Sequence, residues 1–271
     1  ILDIANLNKL QKIIKKYKPI YVINCAAETH VDRSINRSMP FIKSNILGTY
    51  NLLECIREVF FNKNKKENNN FKLFHQISTD EVFGDSVNFK KAPTENSSYY
   101  PSSPYSASKA SSDHLVSSWG RTYKIPYSIS ICTNNYGPRQ FPEKLIPKTI
   151  INAIEGKKIP IYGNGKQIRD WLYVEDHAEA VEKIIFNRKS RGNKFNIGGN
   201  NQINNLKLVN IICEYMDKKL KKKPKKISKF KDLIEFIEDR PGHDKRYFLN
   251  TIKIKRKLNW RPKYNIKKWP R

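Results

Sequence analysis

No stretch of eighteen apolar residues occurs in the 271-residue sequence, so no segment reads as a membrane-spanning helix. The opening "ILDIANLNKL" has neither the basic start nor the apolar core of a secretory leader, and a soluble, cytoplasmic protein without membrane attachment is expected. Cysteine is scarce: Cys25, Cys55, Cys132 and Cys213 stand far apart in apolar contexts, with no C-x-x-C spacing. Buried free thiols are expected, and a structural zinc is disfavoured. The five histidines show no H-E-x-x-H or paired-ligand spacing, so no metal is expected. Acidic residues are also few, 25 against 52 lysines and arginines, which leaves a formal charge of +27. Such a surface condenses on phosphates whatever the fold, and it invites a nucleic-acid reading. The excess is mostly lysine, spread along the chain beside abundant asparagine and isoleucine, and reads as compositional bias instead. Only "KKLKKKPKK", residues 218–226, is a true basic run. It follows the amphipathic "LKLVNIICEYMDKKL" and reads as a solvated helix end and linker.

With 38% hydrophobic and 11% aromatic residues, the chain can bury one large α/β core, or such a core with a smaller lobe. "LNKLQKIIKKY" has helical spacing and precedes the strand-like "IYVINCAAE". "PFIKSNILGTYNLLECIREVFF" reads as a long helix with Pro40 near its start. A strand follows in "FKLFHQIS", then a polar loop over 85–103, a helix from Tyr105 to about Tyr123 and the strand "YSISIC". Alternating strands and helices imply a parallel sheet with crossover helices. Beyond Tyr136 the pattern shifts to proline-bearing loops, short strands such as "IPIYG" and "KFNIGG", and moderate helices. A smaller lobe over the carboxyl ends of the strands is expected there, where open parallel sheets bind ligands.

Two constellations carry chemistry. In "STDEVFG", Asp80 and Glu81 stand side by side where a strand ends, with Gly84 and Asp85 supplying a turn. Taken alone, such a pair fits a calcium loop, a helix cap, a solvated turn, or a general acid and base held in different environments. In "PYSASKASSDHLV", Tyr105 and Lys109 lie four apart at a helix start, so phenol and ammonium share a face. A neighbouring cation favours phenolate, which makes tyrosine a usable proton acceptor.

The blocks "CAAETHVDRSI", "FIKSNILGTYNLLE", "ISTDEVFG", "PSSPYSASKASSDHLVSSWGRTY", "NNYGPRQFPEKLIP", "PIYGNGKQIRDWLYVEDHAEA", "NIGGNN" and "DRPGHDKRY" resemble, in order, those of the dTDP-glucose 4,6-dehydratases. These are extended short-chain dehydrogenases/reductases, and the resemblance runs over essentially the whole chain. It implies a Rossmann-like, doubly wound parallel sheet. Residues 1–136 would form the NAD-binding part and 137–271 mainly a sugar-nucleotide lobe interleaved with it. It also implies NAD as cofactor, a nucleotide-diphosphate sugar as substrate, and a homodimer. Thr79, Asp80, Glu81, Tyr105 and Lys109 would be catalytic. Tyr105 would take the 4-hydroxyl proton of the sugar, with Thr79 hydrogen-bonded to the same hydroxyl and Lys109 lowering the phenol's pKa. Glu81 would then take the C5 proton, while Asp80, kept protonated in a drier environment, protonates the leaving C6 hydroxyl. Asp3, Ile4, Ala26, Ala27, Glu28, Ser44 and Asn135 would join Tyr105 and Lys109 at the cofactor. Thr29, Asn134, Lys144, Leu145, Pro160, Ile161, Tyr162, Arg169, Asn204, Asp239, Arg240 and His243 would join Thr79 at the substrate. Arg169 is the strongest of these physically, because a guanidinium fork suits a diphosphate; the competing role is a surface ion pair with Asp170 or Asp176. Sister nucleotide-sugar 4-epimerases share the tyrosine and lysine but generally lack the Asp-Glu pair, which disfavours that activity.

The sequence departs from the family in one respect. A dinucleotide fold opens with a strand and a glycine-rich turn whose backbone cradles the pyrophosphate. These residues contain no such element, nor the acidic residue expected to meet the adenosine ribose. A fragment or a truncated gene product is therefore expected, with weakened NAD binding, and an inactive remnant stands as the alternative to an active dehydratase. The ending "NWRPKYNIKKWPR" is likewise expected to stop short of the family's last helix.

Overall fold

The computed structural model describes residues 2–61, 70–224 and 227–266. Its first part runs α1 (Leu7–Tyr17), β1 (Tyr21–Asn24), α2 (Val31–Asn36), α3 (Met39–Phe41), a π-helical turn (Ile42–Leu47), α4 (Gly48–Phe60), β2 (Leu73–Thr79), α5 (Pro104–Tyr123) and β3 (Tyr127–Cys132). The second continues with β4 (Asn134–Tyr136), α6 (Leu145–Glu155), β5 (Ile159–Tyr162), β6 (Ile168–Tyr173), α7 (Val174–Phe186), β7 (Asn193–Ile197), β8 (Gln202–Asn204), α8 (Asn205–Lys219), β9 (Ile234–Ile237) and α9 (Ile252–Leu258). Local chemistry explains several ends. Asn6 caps α1 by accepting from the Lys9 amide, and Lys18 closes it in the left-handed region at φ 41°. A capping box of Ser103 and Ser106 with Pro104 in the first turn starts α5.

The main sheet is parallel, in the order β1-β2-β3-β7. Thr79 pairs with Cys132 and Cys132 with Ile197, so the carboxyl ends of three strands finish level. One face packs against α1, α4 and α5 through Leu10, Leu53, Ile56, Phe74, Val116 and Ile129. The other packs against α7 and α9 through Ala180, Ile184, Phe195, Ile254 and Trp260. A three-stranded mixed sheet, β4-β6-β8, and the pair β5-β9 build the lobe with α6 and α8, around Tyr136, Trp171, Ile212 and Phe230.

Several details differ from the sequence reading. "KFNIGG" supplies β7, which belongs to the main sheet and not to the lobe. The long helix begun near Pro40 contains a π-helical turn close to its start, at Ile42–Leu47, which displaces Ser44 and Asn45 from regular helical positions. Cys55, Cys132 and Cys213 are buried, but Cys25 is exposed because it lies one residue beyond β1 at the sheet's carboxyl edge. The long strands also carry buried polar side chains. His75 bridges Ser128 Oγ at 2.8 Å and Ser130 Oγ at 3.1 Å, and burial drives its pKa down to about 3. Among the described residues no helix is long and apolar enough to cross a membrane, and no cluster of three or more His, Cys, Asp or Glu could hold a metal ion. Lys218 and Lys219 of the basic run end α8 with exposed side chains, while Lys225 and Lys226 lie outside the described residues.

Candidate active site

Strand β2 delivers Thr79 to the sheet's carboxyl edge, and the chain turns at once into the short 3₁₀ segment Asp80–Phe83. Thr79 caps that turn by accepting from the Glu81 amide at 3.4 Å, and its hydroxyl donates to Asp80 Oδ1 at 3.2 Å. Gly84 ends the turn at φ 72°, where a Cβ would strike the Tyr100 carbonyl, so the glycine is required both by its backbone and by space. The start of α5 brings Tyr105 alongside. Its amide donates to Ser34 Oγ at 3.1 Å, and its ring meets Phe41 edge-on at 6.3 Å.

The two carboxylates sit in unequal environments. Asp80 is 4% exposed, and its Oδ2 is buried without a hydrogen-bond partner. Burial, followed by the neighbouring Glu81 charge, raises its pKa well above the ordinary carboxylate value. Burial also raises Glu81, but Arg240, Arg169 and Lys144 oppose the shift, and Glu81 alone of the pair opens into a cavity. Both carboxyls are held toward the neutral form by burial, Asp80 more strongly, because the cations facing Glu81 offset part of its shift. That arrangement suits an acid and a base acting on neighbouring carbons.

Tyr105 departs from expectation. Burial, then the Glu81 charge, raises the phenol well above its ordinary value, with hydrogen bonding to Thr79 opposing. Lys109, fully buried on the same helix face, turns its ammonium to the Ile77 carbonyl at 2.6 Å; its strongest charge partner is Asp113, and it is not among the leading influences on the phenol. Spacing alone placed the two groups on one face but could not show which neighbour the flexible lysine stem would reach.

A cavity of about 210 Å³ opens from Glu81 into the lobe. Thr29, Asn134, Lys144, Leu145, Pro160, Ile161, Tyr162, Arg169, Arg240 and His243 line it, so most residues expected at the substrate converge. Asn134 Oδ1 is buried there without a partner. Arg169 is 5% exposed and pairs with neither Asp170 nor Asp176. Its guanidinium donates to the carbonyls of Ile168 at 2.8 Å and Asp244 at 2.9 Å and lies 4.3 Å over the Tyr247 ring. Asp170 is occupied by the amides of Asn200 and Asn201, and Asp176 by those of Lys263 and Tyr264. The buried guanidinium takes neutral acceptors, and Lys144 and Arg240 line the same cavity together with the carboxylates of Asp32, Glu81 and Glu143.

Three expected residues do not line the cavity: Thr79, which stays at the end of β2, Asn204 and Asp239. Asn204 turns away to cap α8, accepting from the Lys207 amide at 2.7 Å, and its neighbour Asn205 lines the cavity. Asp239 does not line it; it holds His243 Nδ1 at 2.5 Å and Gln167 at 2.9 Å. Asp32 was not singled out in the sequence although it lines the cavity. It accepts from the Tyr162 hydroxyl at 2.9 Å and from Arg240 at 3.2 Å, and so ties together three segments far apart in sequence. No spacing rule could have exposed a contact between residues 32 and 240.

The residues expected at a cofactor fall before α1, after β1, on the π-helical turn, at the start of α5 and in β4. Ala26, Ala27 and Glu28 follow β1, and Asn45, overlooked in the sequence, fixes them: its amide group bonds the Glu28 N–H at 2.9 Å and carbonyl at 3.0 Å and donates to Ser108 Oγ at 2.8 Å. Ser44 is half-buried on the same π-helical turn. Asp3 is exposed, its carboxylate accepting from the Ala5 amide at 2.9 Å, and Ile4 packs against Gly48. Asn135 has its amide engaged by Thr133 O at 3.2 Å and by His177 at 2.9 Å.

Comparison with known proteins agrees with this geometry. The family described as GDP-mannose 4,6 dehydratase matches residues 1–270. The chain is 48% identical over 260 residues to the dTDP-glucose 4,6-dehydratase of Neisseria gonorrhoeae, covering 96% of this chain and 75% of that one. It is 50% identical over 268 residues to that of Salmonella typhimurium, covering 96% of this chain and 73% of the relative. The crystal structure of the Streptomyces venezuelae dTDP-glucose 4,6-dehydratase, solved with NAD bound, superposes with a TM-score of 0.84 at 33% identity, over 97% of this chain and 74% of that chain. The level strand ends, the paired carboxylates and these likenesses together show that the chain belongs to the dTDP-glucose 4,6-dehydratases of the extended short-chain dehydrogenase/reductase family.

Proposed function

We propose that the protein converts dTDP-glucose to dTDP-4-keto-6-deoxyglucose. The observation that carries this reading is the split between Asp80, buried with an unpartnered oxygen, and Glu81, facing cations at the cavity. An epimerase has no use for an acid and a base so placed, because it breaks no C–O bond at C6. The segment after β1, Ser44, Tyr105 and Lys109 suit the nicotinamide end of NAD, since small side chains at Ala26 and Ala27 leave the backbone approachable beside a buried ammonium. When bound, NAD supplies the acceptor and donor of the hydride.

Tyr105 takes the proton from the sugar's 4-hydroxyl, which Thr79 orients, as C4 is oxidised to a ketone; for this, binding has to offset the burial and the Glu81 charge that hold the phenol neutral. The ketone acidifies the C5 proton. Glu81 removes that proton and Asp80 protonates the departing C6 hydroxyl, so that water is lost. Bound cofactor would supply the hydride that C6 needs, and Glu81 returns the proton to C5. Arg169, Lys144 and Arg240 neutralise the diphosphate, and Asp32 holds Tyr162 and Arg240 in register for the nucleotide.

The reading is tested by incubating the protein with dTDP-glucose and saturating NAD and following the nucleotide sugar by mass spectrometry. A 4-keto product lighter by one water is the expected result. A product of unchanged mass with inverted C4 would establish epimerisation, and recovery of untouched substrate would overturn the assignment for this chain.

A further inference from the structure

Helix α5 carries a third buried titratable residue on the face that presents Tyr105 and Lys109. Asp113 stands four residues beyond Lys109, one turn further along, and is 0% exposed. Its Oδ2 accepts the Ser78 hydroxyl at 2.6 Å and the Tyr99 hydroxyl at 3.0 Å, while Oδ1 has no hydrogen-bond partner. Burial raises the Asp113 carboxyl above its ordinary value, and the hydroxyls of Ser78 and Tyr99 with the charges of Lys109 and Lys194 oppose that shift and favour the carboxylate. Tyr99 is itself held by Lys194 of β7, whose ammonium lies 2.9 Å from the hydroxyl and 4.3 Å over the ring. Lys109 has the complementary problem. It is 5% exposed, and one carbonyl, Ile77 O, is its hydrogen-bond acceptor. The groups that act on its charge are Asp113 on its own helix, Cys132 from β3 and Cys25 beyond β1; Asp113 is the one carboxylate among them, and it acts through space from one helix turn away, not by a direct ion pair.

We propose that Asp113 is a positioning residue that keeps Lys109 charged and seated against β2, with Tyr99 and Lys194 anchoring Asp113 from the far side. The role of the Lys109 ammonium at the nicotinamide end of the cofactor rests on the dehydratase reading above; its coupling to Asp113 does not. Burial pushes the Lys109 ammonium below its ordinary value, and the Asp113 charge is the largest influence restoring it. Removing that charge should let Lys109 lose its proton at lower pH, so the alkaline limit of the first step, set where the ammonium beside the cofactor is lost, moves down.

The test has two readouts on the same protein. In the first, the pH profile of sugar oxidation at C4 is followed in a single turnover. Asp113→Asn, which keeps the shape and the acceptor for Ser78 and Tyr99, should move the alkaline limb to lower pH by about one unit. Tyr99→Phe should move it the same way by less. A rate loss equal at every pH, with the limb unmoved, would show a merely structural role and overturn the proposal. In the second, denaturant midpoints are measured without ligands for Asp113→Asn, Lys109→Met and the double variant. Asp113→Asn should lower the midpoint clearly beside Lys109 and much less beside Met, whereas strictly additive losses would overturn the pairing. If the unmodified protein oxidises no sugar while the midpoints couple, the dehydratase reading fails and the pairing stands.

Discussion

The reacting end of the site and the pocket that would hold the nucleotide are built in different ways. Thr79, Asp80 and Glu81 follow one another at a strand end, and Tyr105 and Lys109 lie one turn apart at a helix start. Two local elements, joined by a single loop, thus set the chemistry. The pocket draws on residues from Thr29 to His243, fixed by contacts such as Asp32 with Arg240 and Arg169 with the Asp244 carbonyl. The reacting groups therefore depend on the integrity of β2 and α5. The pocket depends on how the lobe is docked, and the two should fail separately.

The largest effects should come from the reacting end. Tyr105→Phe should abolish C4 oxidation and everything after it, a loss of ~10² to 10⁴ in rate, with nucleotide affinity measured by calorimetry unchanged. Asp80→Asn and Glu81→Gln should each slow product formation by ~10² to 10⁴ while single-turnover oxidation at C4 persists. Loss of that oxidation in both variants would erase the division of labour within the reacting end.

The pocket should respond in affinity. Arg169→Met removes a buried cation that donates to two carbonyls, and dTDP-glucose binding should weaken by roughly 10-fold to 100-fold, in line with about 1.5 to 3 kcal/mol for a charge-assisted hydrogen bond. The rate at saturation should change far less. Asp32→Asn should loosen Tyr162 and Arg240 together and raise KM several-fold with kcat nearly kept. A fall in kcat without a change in KM for either variant would mean that the two regions are coupled.

The smallest effect concerns the sheet beneath both regions. His75 is buried and His177 partly so, with pKa values driven down to about 3 and about 4 by loss of solvent, so each binds its proton more readily when unfolded. Their contribution to stability is complete above the unfolded histidine value, declines as pH falls below about 6.5, and is lost by the time pH reaches the folded values. Thermal midpoints measured down that range should fall, and His75→Gln should flatten the decline. An unchanged slope would mean that His75 is not protonated on unfolding.

By itself the sequence determined the parallel alternation, the ends of α1 and α5, the carboxylate pair at a strand's mouth, and the shared face of Tyr105 and Lys109. Each depends on interactions within a few residues: an asparagine or serine cap, a proline in a first turn, a glycine at positive φ, a period of 3.6. Family resemblance named most of the pocket, but its internal bonds were not legible. Only the tertiary structure placed β7 in the main sheet, left Cys25 exposed, turned Asn204 into a cap, and joined Asp32 to Tyr162 and Arg240. It also decided the charge states. Adjacent carboxylates are chemically alike in sequence; Asp80 and Glu81 differ because one is sealed beneath the turn and the other faces three cations brought from elsewhere in the chain, and desolvation and Coulomb energy depend on distances that a linear sequence does not contain.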